Sequence, residues 1–401
     1  MIVEPQPAVG LERAPSLPDG WRLVRFDQMA ECVTDRVDNP ADAGVERYVG
    51  LEHLAPESLR IRRWGSPTDV EATKLRFKAG DIIFGRRRAY QHKLAVADFE
   101  GICSAHAMVL RAREAVALKE FLPLLMQSDL FFDRALAISV GSLSPTINWR
   151  TLARQEFPLP PKDEQHRIAE ILWAADEAIE RYAEAIAAAE GLRRAVVGRF
   201  LERGTFPMVP LGSVGRWLSG GTPSRAVKDY WNGGFPWASP KDIKTDILEA
   251  TTETISEEAL GTLSTIASVG AILIVVRGMI LAHSFPIAMT ARPMAFNQDI
   301  KALVPSPEFR PGFVFNCLKH QARRCLALAS DSSHGTKRVT TSVLQSLEVP
   351  RPTLEEQDGT LSVLAALDRQ IGALRNEWGL LSNAFRSLRE SLLRMGSRGD
   401  V

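Results

Sequence analysis

Apolar residues recur along this chain in two rhythms. One series stands at Leu364, Leu367, Ile371, Leu374, Trp378, Leu381, Phe385, Leu388 and Leu392, with steps alternating between three and four. That spacing keeps one face of an α-helix apolar and predicts a coiled-coil seam. A matching series runs through Ile168, Leu172, Ala175, Ile179, Tyr182, Ile186 and Ala189, then Leu192, Val196 and Phe200. Its two successive three-residue steps around Ala189 predict a slip that locally overwinds the coil. Two helices of roughly 35–40 residues, each about 55 Å long, are expected, and neither buries its seam alone. Elsewhere the apolar residues fall in short runs. The longest, SVGAILIVVRGMILA (268–282), is broken by Gly270, Arg277 and Gly278. It is too short for a membrane span and reads as a buried strand.

The two helical patterns begin alike. FPLPPKDEQHRIAEILWAADEAI (157–179) and VPRPTLEEQDGTLSVLAALDRQI (349–371) superpose at an offset of 192 residues. Pro158 then falls on Pro350, Pro160 on Pro352, Glu164 on Glu356, Gln165 on Gln357, Leu172 on Leu364, Ala174 on Ala366, Asp176 on Asp368 and Ile179 on Ile371. The prolines suit a first helical turn, where a missing N–H leaves no bond unmade. Thr353 and Glu356 have the spacing of a capping box. The segments between, 17–156 and 206–347, look strand-rich and repeat each other weakly. AGDIIFGRRRAY (79–90) resembles VGAILIVVRGMI (269–280) at an offset near 190, and SPTINWRTL (144–152) matches TKRVTTSVL (336–344) at 192. The expected organisation is a flexible tail (1–16), a head (17–156), a helix (157–205), a second head (206–347) and a second helix (348–401). The class is α+β, with divergent heads on matching helices: a variable reading surface on a constant frame.

Charge narrows the chemistry. Forty-nine basic and 48 acidic side chains leave a net charge of +1, so nucleic-acid binding would have to come from local patches. One such patch holds Arg60, Arg62, Arg63, Lys74, Arg76, Lys78, Arg86, Arg87, Arg88 and Lys93, opposed by Asp69, Glu71 and Asp81. GRRRAYQHK (85–93) places guanidiniums beside Tyr90, Gln91 and His92. Arginine forks onto phosphate or the guanine edge, and glutamine onto adenine. In the second head, LSGGTPSRAVKDYWNGGFPWASPKDI (218–243) supplies phosphate donors (Thr222, Ser224, Arg225, Lys228, Lys241) and flat surfaces (Tyr230, Trp231, Trp237), of which at least one tryptophan is expected in the core. Arg277 and the SHGTKR stretch (333–338), with His334, Lys337 and Arg338, complete that set. The candidate DNA contacts are therefore Arg62, Arg63, Arg86, Arg87, Arg88, Tyr90, Gln91, Lys93, Thr222, Ser224, Arg225, Lys228, Trp231, Lys241, Arg277, Lys337 and Arg338. The candidate frame positions, for the coil or its partners, are Gln165, Leu172, Ile179, Ile186, Gln357, Leu364, Ile371, Trp378 and Phe385.

Motifs for catalysis are missing. The sequence has no phosphate-binding loop, dinucleotide fingerprint, zinc spacing, nucleophile elbow, or Asn-Pro-Pro-aromatic adenine-methylation motif. A non-catalytic chain with no metal site and no cofactor of its own is expected. Cys32, Cys103, Cys317 and Cys325 form no paired spacing and read as buried thiols in a reducing cytoplasm. The N-terminal stretch lacks a basic region followed by an apolar core, so no secretory signal is expected.

With LPDGW (17–21), the two helix starts, GGTPSR…YW…GGFPW…PKDI, GDIIF (80–84) and FNQDI (296–300), the chain resembles the specificity subunit of type I restriction–modification systems. The likeness runs from about Leu17 to Leu393. CSAHAMVL (103–110), without the glutamine of FNQDI, and DGT after Gln357 depart from it. The resemblance implies two mixed α/β target-recognition domains separated by two long antiparallel coiled-coil helices, a pseudo-two-fold tandem repeat. It implies an asymmetric bipartite site on double-stranded DNA and a spacer set by helix length. It also implies two modification subunits that methylate adenine N6 with S-adenosylmethionine, and motor-nuclease subunits that use ATP and magnesium. The reading from another class is a coiled-coil scaffold whose heads bind protein and not DNA.

Overall fold

The computed structural model describes residues 17–141, 144–202, 204, 206–262, 265–331 and 336–394. The tail 1–16 and His334 lie outside the described residues. The chain divides into two compact units, Met1–Tyr182 with Glu377–Val401, and Ala183–Asn376. Each unit therefore holds one head together with part of each long helix.

In the first unit, the apolar run after Gly80 becomes the strand Ile82–Gly85, buried along its whole length. It lies between Ala107–Ala112 and Leu94–Val96 in a four-stranded antiparallel sheet whose other edge is Ala30–Val33. Gly80, at φ +90°, makes the turn into that strand. Asp81 is 1% exposed and accepts a fork from Arg111 at 2.7 and 2.8 Å, so its buried charge is paired. A second sheet joins Arg36–Val37, Lys74–Phe77, Gly101–Ser104 and Tyr48–Val49. Arg22–Arg25 pairs with Glu156–Leu159 and closes the head just before the first long helix, Lys162–Leu201. Phe26, Phe84, Phe131 and Phe157 share one core with Ile168 and Leu172 of that helix and Phe385 and Leu392 of the second, Leu354–Arg394.

The second unit is built around a five-stranded sheet in the order Gly215–Ser219, Ile300–Pro305, Ile272–Val275, Ile287–Thr290, Ile247–Leu248. Ile272–Val275 is buried throughout, as the apolar run within 268–282 predicted. Met208–Pro210 pairs with Glu348–Pro350 ahead of the second long helix, whose capping box forms as expected: the Glu356 carboxylate accepts from Thr353 N at 2.8 Å. Asp358, Gly359 and Thr360 do not interrupt the helix. Asp358 forks with Arg310 at 2.7 Å, and the Thr360 hydroxyl donates to the Glu356 carbonyl at 2.7 Å.

Gln165 and Gln357 are 1% and 0% exposed. Gln165 Oε1 accepts from Leu118 N at 2.9 Å, while Nε2 donates to Val116 O at 3.2 Å and Pro160 O at 3.0 Å. Gln357 Oε1 accepts from Arg310 N at 2.7 Å, while Nε2 donates to Glu308 O at 3.0 Å and Pro352 O at 3.1 Å. Every partner corresponds at the offset of 192 found in the sequence. Both glutamines, expected as frame positions for the coil or its partners, thus tie the start of each long helix to a loop of its own head. These short loops leave backbone donors and acceptors that a buried amide, carrying both a donor and an acceptor, satisfies together.

Leu172, Leu364, Ile371 and Phe385 are buried, and Ile179 and Ile186 half-buried. Three seam positions depart from expectation, Leu192, Trp378 and Leu388, the last 38% exposed beside Arg389 at 4%. Leu192 is 55% exposed, and the series continues through Arg193. Arg193 bonds Asp368 at 2.6 Å and Asn316 at 3.0 Å, so the heptad keeps its alternating steps and no slip occurs. A charged side chain with a dedicated partner occupies a seam position that an apolar count passes over. Arg375 bonds Glu190 at 2.5 Å, and this pair with Arg193–Asp368 makes the two helix segments of the second unit antiparallel. Trp378 is 40% exposed, where Glu377 takes the hydrogen bond of the Tyr182 hydroxyl and pushes its pKa up. A polar contact stands there in place of interlocked apolar side chains.

Candidate nucleic-acid interface

In the first head the GRRRAY run leaves its strand along residues 145–147. Ile147 N donates to Arg86 O at 2.9 Å and Arg88 N to Pro145 O at 2.8 Å. Arg88 takes φ +56° and His92 φ +49°, on either side of the 3-10 turn Ala89–Gln91. Left-handed backbone is unusual for such residues, and it recurs on both sides of this one turn. Ala89 is buried and Tyr90 is 53% exposed, so the turn is anchored at its base and open at its tip. His92 stacks on Phe132 at 4.0 Å, which fixes the far end. Arg87 donates to Ser144 Oγ at 2.9 Å and lies 3.3 Å from His106 Nε2. Arg88 is exposed, whereas Arg86 is half-buried and its Nε has no hydrogen-bond partner among the described residues. Burial first, then the positive Arg87 and Arg86, lowers the His106 pKa and favours the neutral ring. Arg63, Tyr90, Gln91 and Lys93 border one cleft of about 640 Å³.

The basic patch is not all available. Arg62 Nε bonds Glu180 of the first long helix at 3.0 Å, and Arg60 Nε bonds Asp176 at 2.9 Å. Lys93 donates to Leu51 O at 2.7 Å and Arg63 to Glu52 O at 3.2 Å. Arg62 is thus a clasp between head and helix. Burial pushes the Asp176 carboxyl up, and the Arg60 hydrogen bond only partly offsets it. Arg60→Ala should therefore destabilise the chain by roughly 1–3 kcal/mol at pH 7, since a buried acceptor loses its donor. The folded-state pKa of Asp176 would rise further above its unfolded value. The ionised-carboxylate penalty is then full above the folded pKa and vanishes as pH falls toward the unfolded one. Urea unfolding at pH 7 and near pH 4 should show the deficit shrinking on acidification; a deficit that grows would exclude this assignment.

In the second head, GGTPSR…YW…GGFPW forms an internal stack. Arg225 lies 3.5 Å over the Trp231 ring and forks onto Glu253 at 2.6 and 3.1 Å. Trp231 meets Trp237 edge-on at 5.1 Å. Trp237 is 3% exposed, the expected core tryptophan, and donates to Gly221 O at 3.0 Å. The Arg225 hydrogen bond, with Lys241 3.5 Å away, holds the Glu253 carboxyl below the usual range. Thr222 donates to Gln298 of FNQDI at 2.6 Å, and Ser224 Oγ accepts from Ala226 N at 3.3 Å. Of these expected contacts, Arg225 and Trp231 hold the motif together, and Lys228 stands exposed beside it. Arg277 and Arg338 are brought side by side as cross-strand partners, with Lys337 opposite Gly278. Sequence reading missed the acidic partners Asp176, Glu180 and Glu253, and His106 beside Arg87. All are distant in sequence from the cations they meet, so no local pattern could have revealed them.

Among the described residues no helix is long and apolar enough to cross a membrane, and no group of three or more His, Cys, Asp or Glu side chains could hold a metal ion.

A family model described as the type I restriction modification DNA specificity domain matches residues 67–188 and 204–377. The chain is 31% identical over 160 residues to the EcoR124I/EcoR124II specificity subunit of Escherichia coli, covering 39% of this chain and 40% of that protein. It is 31% identical over 196 residues to the EcoDI specificity subunit of Escherichia coli, covering 46% and 42%. The matches thus span about two fifths of these relatives' length. A structure described under complex assembly and conformational transition of the type I R–M system aligns at TM-score 0.58 and 22% identity, over 96% of this chain and 99% of that one. The type I S subunit from M. genitalium aligns at TM-score 0.54 and 18% identity, over 97% and 100%. These two likenesses show a common fold.

Proposed function

The chain belongs to the type I restriction–modification DNA specificity family, and from that premise we propose that its two heads read two different half-sites of duplex DNA. One observation carries the reading: the joints at Gln165 and Gln357 repeat bond for bond, while the exposed turns of the two heads, RRRAY and RGMI, differ. A constant frame with unlike reading surfaces calls for a bipartite, asymmetric target, with pseudo-two-fold geometry in the frame and none in the bases. Phosphate contacts supply register and salt-dependent affinity, and base edges supply choice.

The chain acts in this reading as a non-catalytic positioner. The two long helices form the antiparallel coil and receive two modification subunits, which bring S-adenosylmethionine. Motor-nuclease subunits join with ATP and magnesium. Mapping N6-methyladenine in cells that co-express the chain with its modification partner should reveal an asymmetric motif in two parts. A continuous motif, or no motif, would refute the proposal. Filter binding of the assembled complex across a salt series separates it from a protein-binding scaffold, which would show no steep salt slope.

The frame also sets the spacer. Deleting one helical turn, about four residues or roughly 5.4 Å, from the middle of each long helix should shorten the preferred spacer by about one or two base pairs. The same methylation map reads this out, and an unchanged spacer rules out the ruler.

A further inference from the structure

We propose that the tip of the 3-10 turn Met279–Ala282 is an apolar wedge that enters the base stack at the second half-site and holds one step open. The proposal rests on the DNA-reading function above and adds a deformation to it. Met279 is 63% exposed and Ile280 43%, whereas Leu281 at 2% roots the turn in the core. Two large aliphatic side chains held in water on a rooted turn form a surface built to be covered.

Charge identifies what covers it. Arg277 and Arg338 face each other across the strand pair immediately before the turn, and Lys337 stands opposite Gly278. Arg277 has Asp299 beside it at 3.6 Å, and Asp331 is the cross-strand partner of Lys337. On its other side the tip borders a cleft of about 570 Å³ whose lining takes in Lys241, Lys244 and Lys319 together with Asp246, which Lys319 pairs at 2.6 Å. An apolar point with cations in excess around it matches an object with a charged rim and an apolar interior, which is the phosphate backbone and base stack of DNA. Met and Ile are among the side chains that part base steps in this way.

The backbone is shaped to present the point. Gly278 has φ 143° and ψ 161°, a region essentially reserved for glycine, and it swings the chain from strand to turn. The first head repeats the device with other residues. Val339 N bonds Val276 O as Ile147 N bonds Arg86 O, both at 2.9 Å. Arg87 then corresponds to Arg277, left-handed Arg88 to Gly278, and Tyr90 to the exposed tip. Methyl transfer to a base needs that base out of the stack, and a neighbouring step already opened lowers the energy required.

The test uses the full chain assembled with its modification partners, on duplexes carrying the methylated motif mapped from cells. 2-Aminopurine is placed in turn at each position of either half-site. One position of the second half-site should brighten several-fold on binding. Met279→Ala with Ile280→Ala should abolish most of that rise and weaken binding by about tenfold, leaving the salt slope and the first half-site unchanged. Met279→Leu should restore it, and Gly278→Ala should mimic the loss with both tip side chains present. Because both tip residues are exposed, the double variant keeps the fold, which circular dichroism checks. Specific binding by the unaltered complex without any brightening overturns the wedge and leaves the DNA-reading function standing, as does brightening that survives the double variant. No specific binding at all overturns both.

Discussion

Gln357→Leu is expected to destabilise the second unit by roughly 2–5 kcal/mol, and Gln165→Leu the first unit by a similar amount. Leucine preserves the volume and supplies none of the hydrogen bonds. Arg310 N and the carbonyls of Glu308 and Pro352 would lose their partner in one joint, and Leu118 N with the carbonyls of Val116 and Pro160 in the other. Each buried backbone group left unpaired costs about 1–3 kcal/mol, partly relieved where a carbonyl keeps another donor. For units of this size the loss lowers Tm by roughly 5–15 °C. Hydrogen exchange should localise the damage, with protection falling at residues 116–118 in one variant and 308–310 in the other. A loss under about 1 kcal/mol would mean that water replaces the amide freely. Gln→Glu should not rescue either joint, because a carboxylate would face two carbonyls without a proton to offer.

Arg87→Ala combined with Arg88→Ala should weaken binding of the assembled complex to its duplex by roughly tenfold to a hundredfold, mainly through the first half-site. If each guanidinium neutralises one phosphate, the slope of log affinity against log salt should fall by about 1.8. Arg88 is exposed at a left-handed position beside the turn, and Arg87 is aimed by Ser144 and His106. Fluorescence anisotropy from low to moderate salt measures both quantities. An unchanged slope would show that the run is only a solvated turn. Arg62→Ala is the informative contrast: its guanidinium is held by Glu180, so its removal should affect the head–helix clasp more than the slope.

The places where sequence reading succeeded share one property: their signal is local or periodic. The buried strand Ile272–Val275, the capping box at Thr353 and the long helices all follow from residues within a few positions of one another. Where it went astray, the deciding partner lay far along the chain. Arg193 was passed over because only Asp368 and Asn316 make a cation acceptable in the seam. Arg225 reads as a free donor, and Glu253, 28 residues on, occupies it.

The sequence by itself determined the order of head, helix, head and helix, the helical rhythm, and the repeat that ties the two joints together. Heptad spacing and an offset of 192 are properties of order along a chain, and they survive without coordinates. Only the tertiary structure decided which cations are clasps and which face outward. A charge at a given position is the same letter whether or not a carboxylate reaches it. Only the structure, too, lifted Tyr90, Met279 and Ile280 out of the heads. Exposure depends on what the rest of the fold leaves uncovered, and the positive φ values of Arg88 and Gly278 that raise those tips are set by strands paired across more than fifty residues.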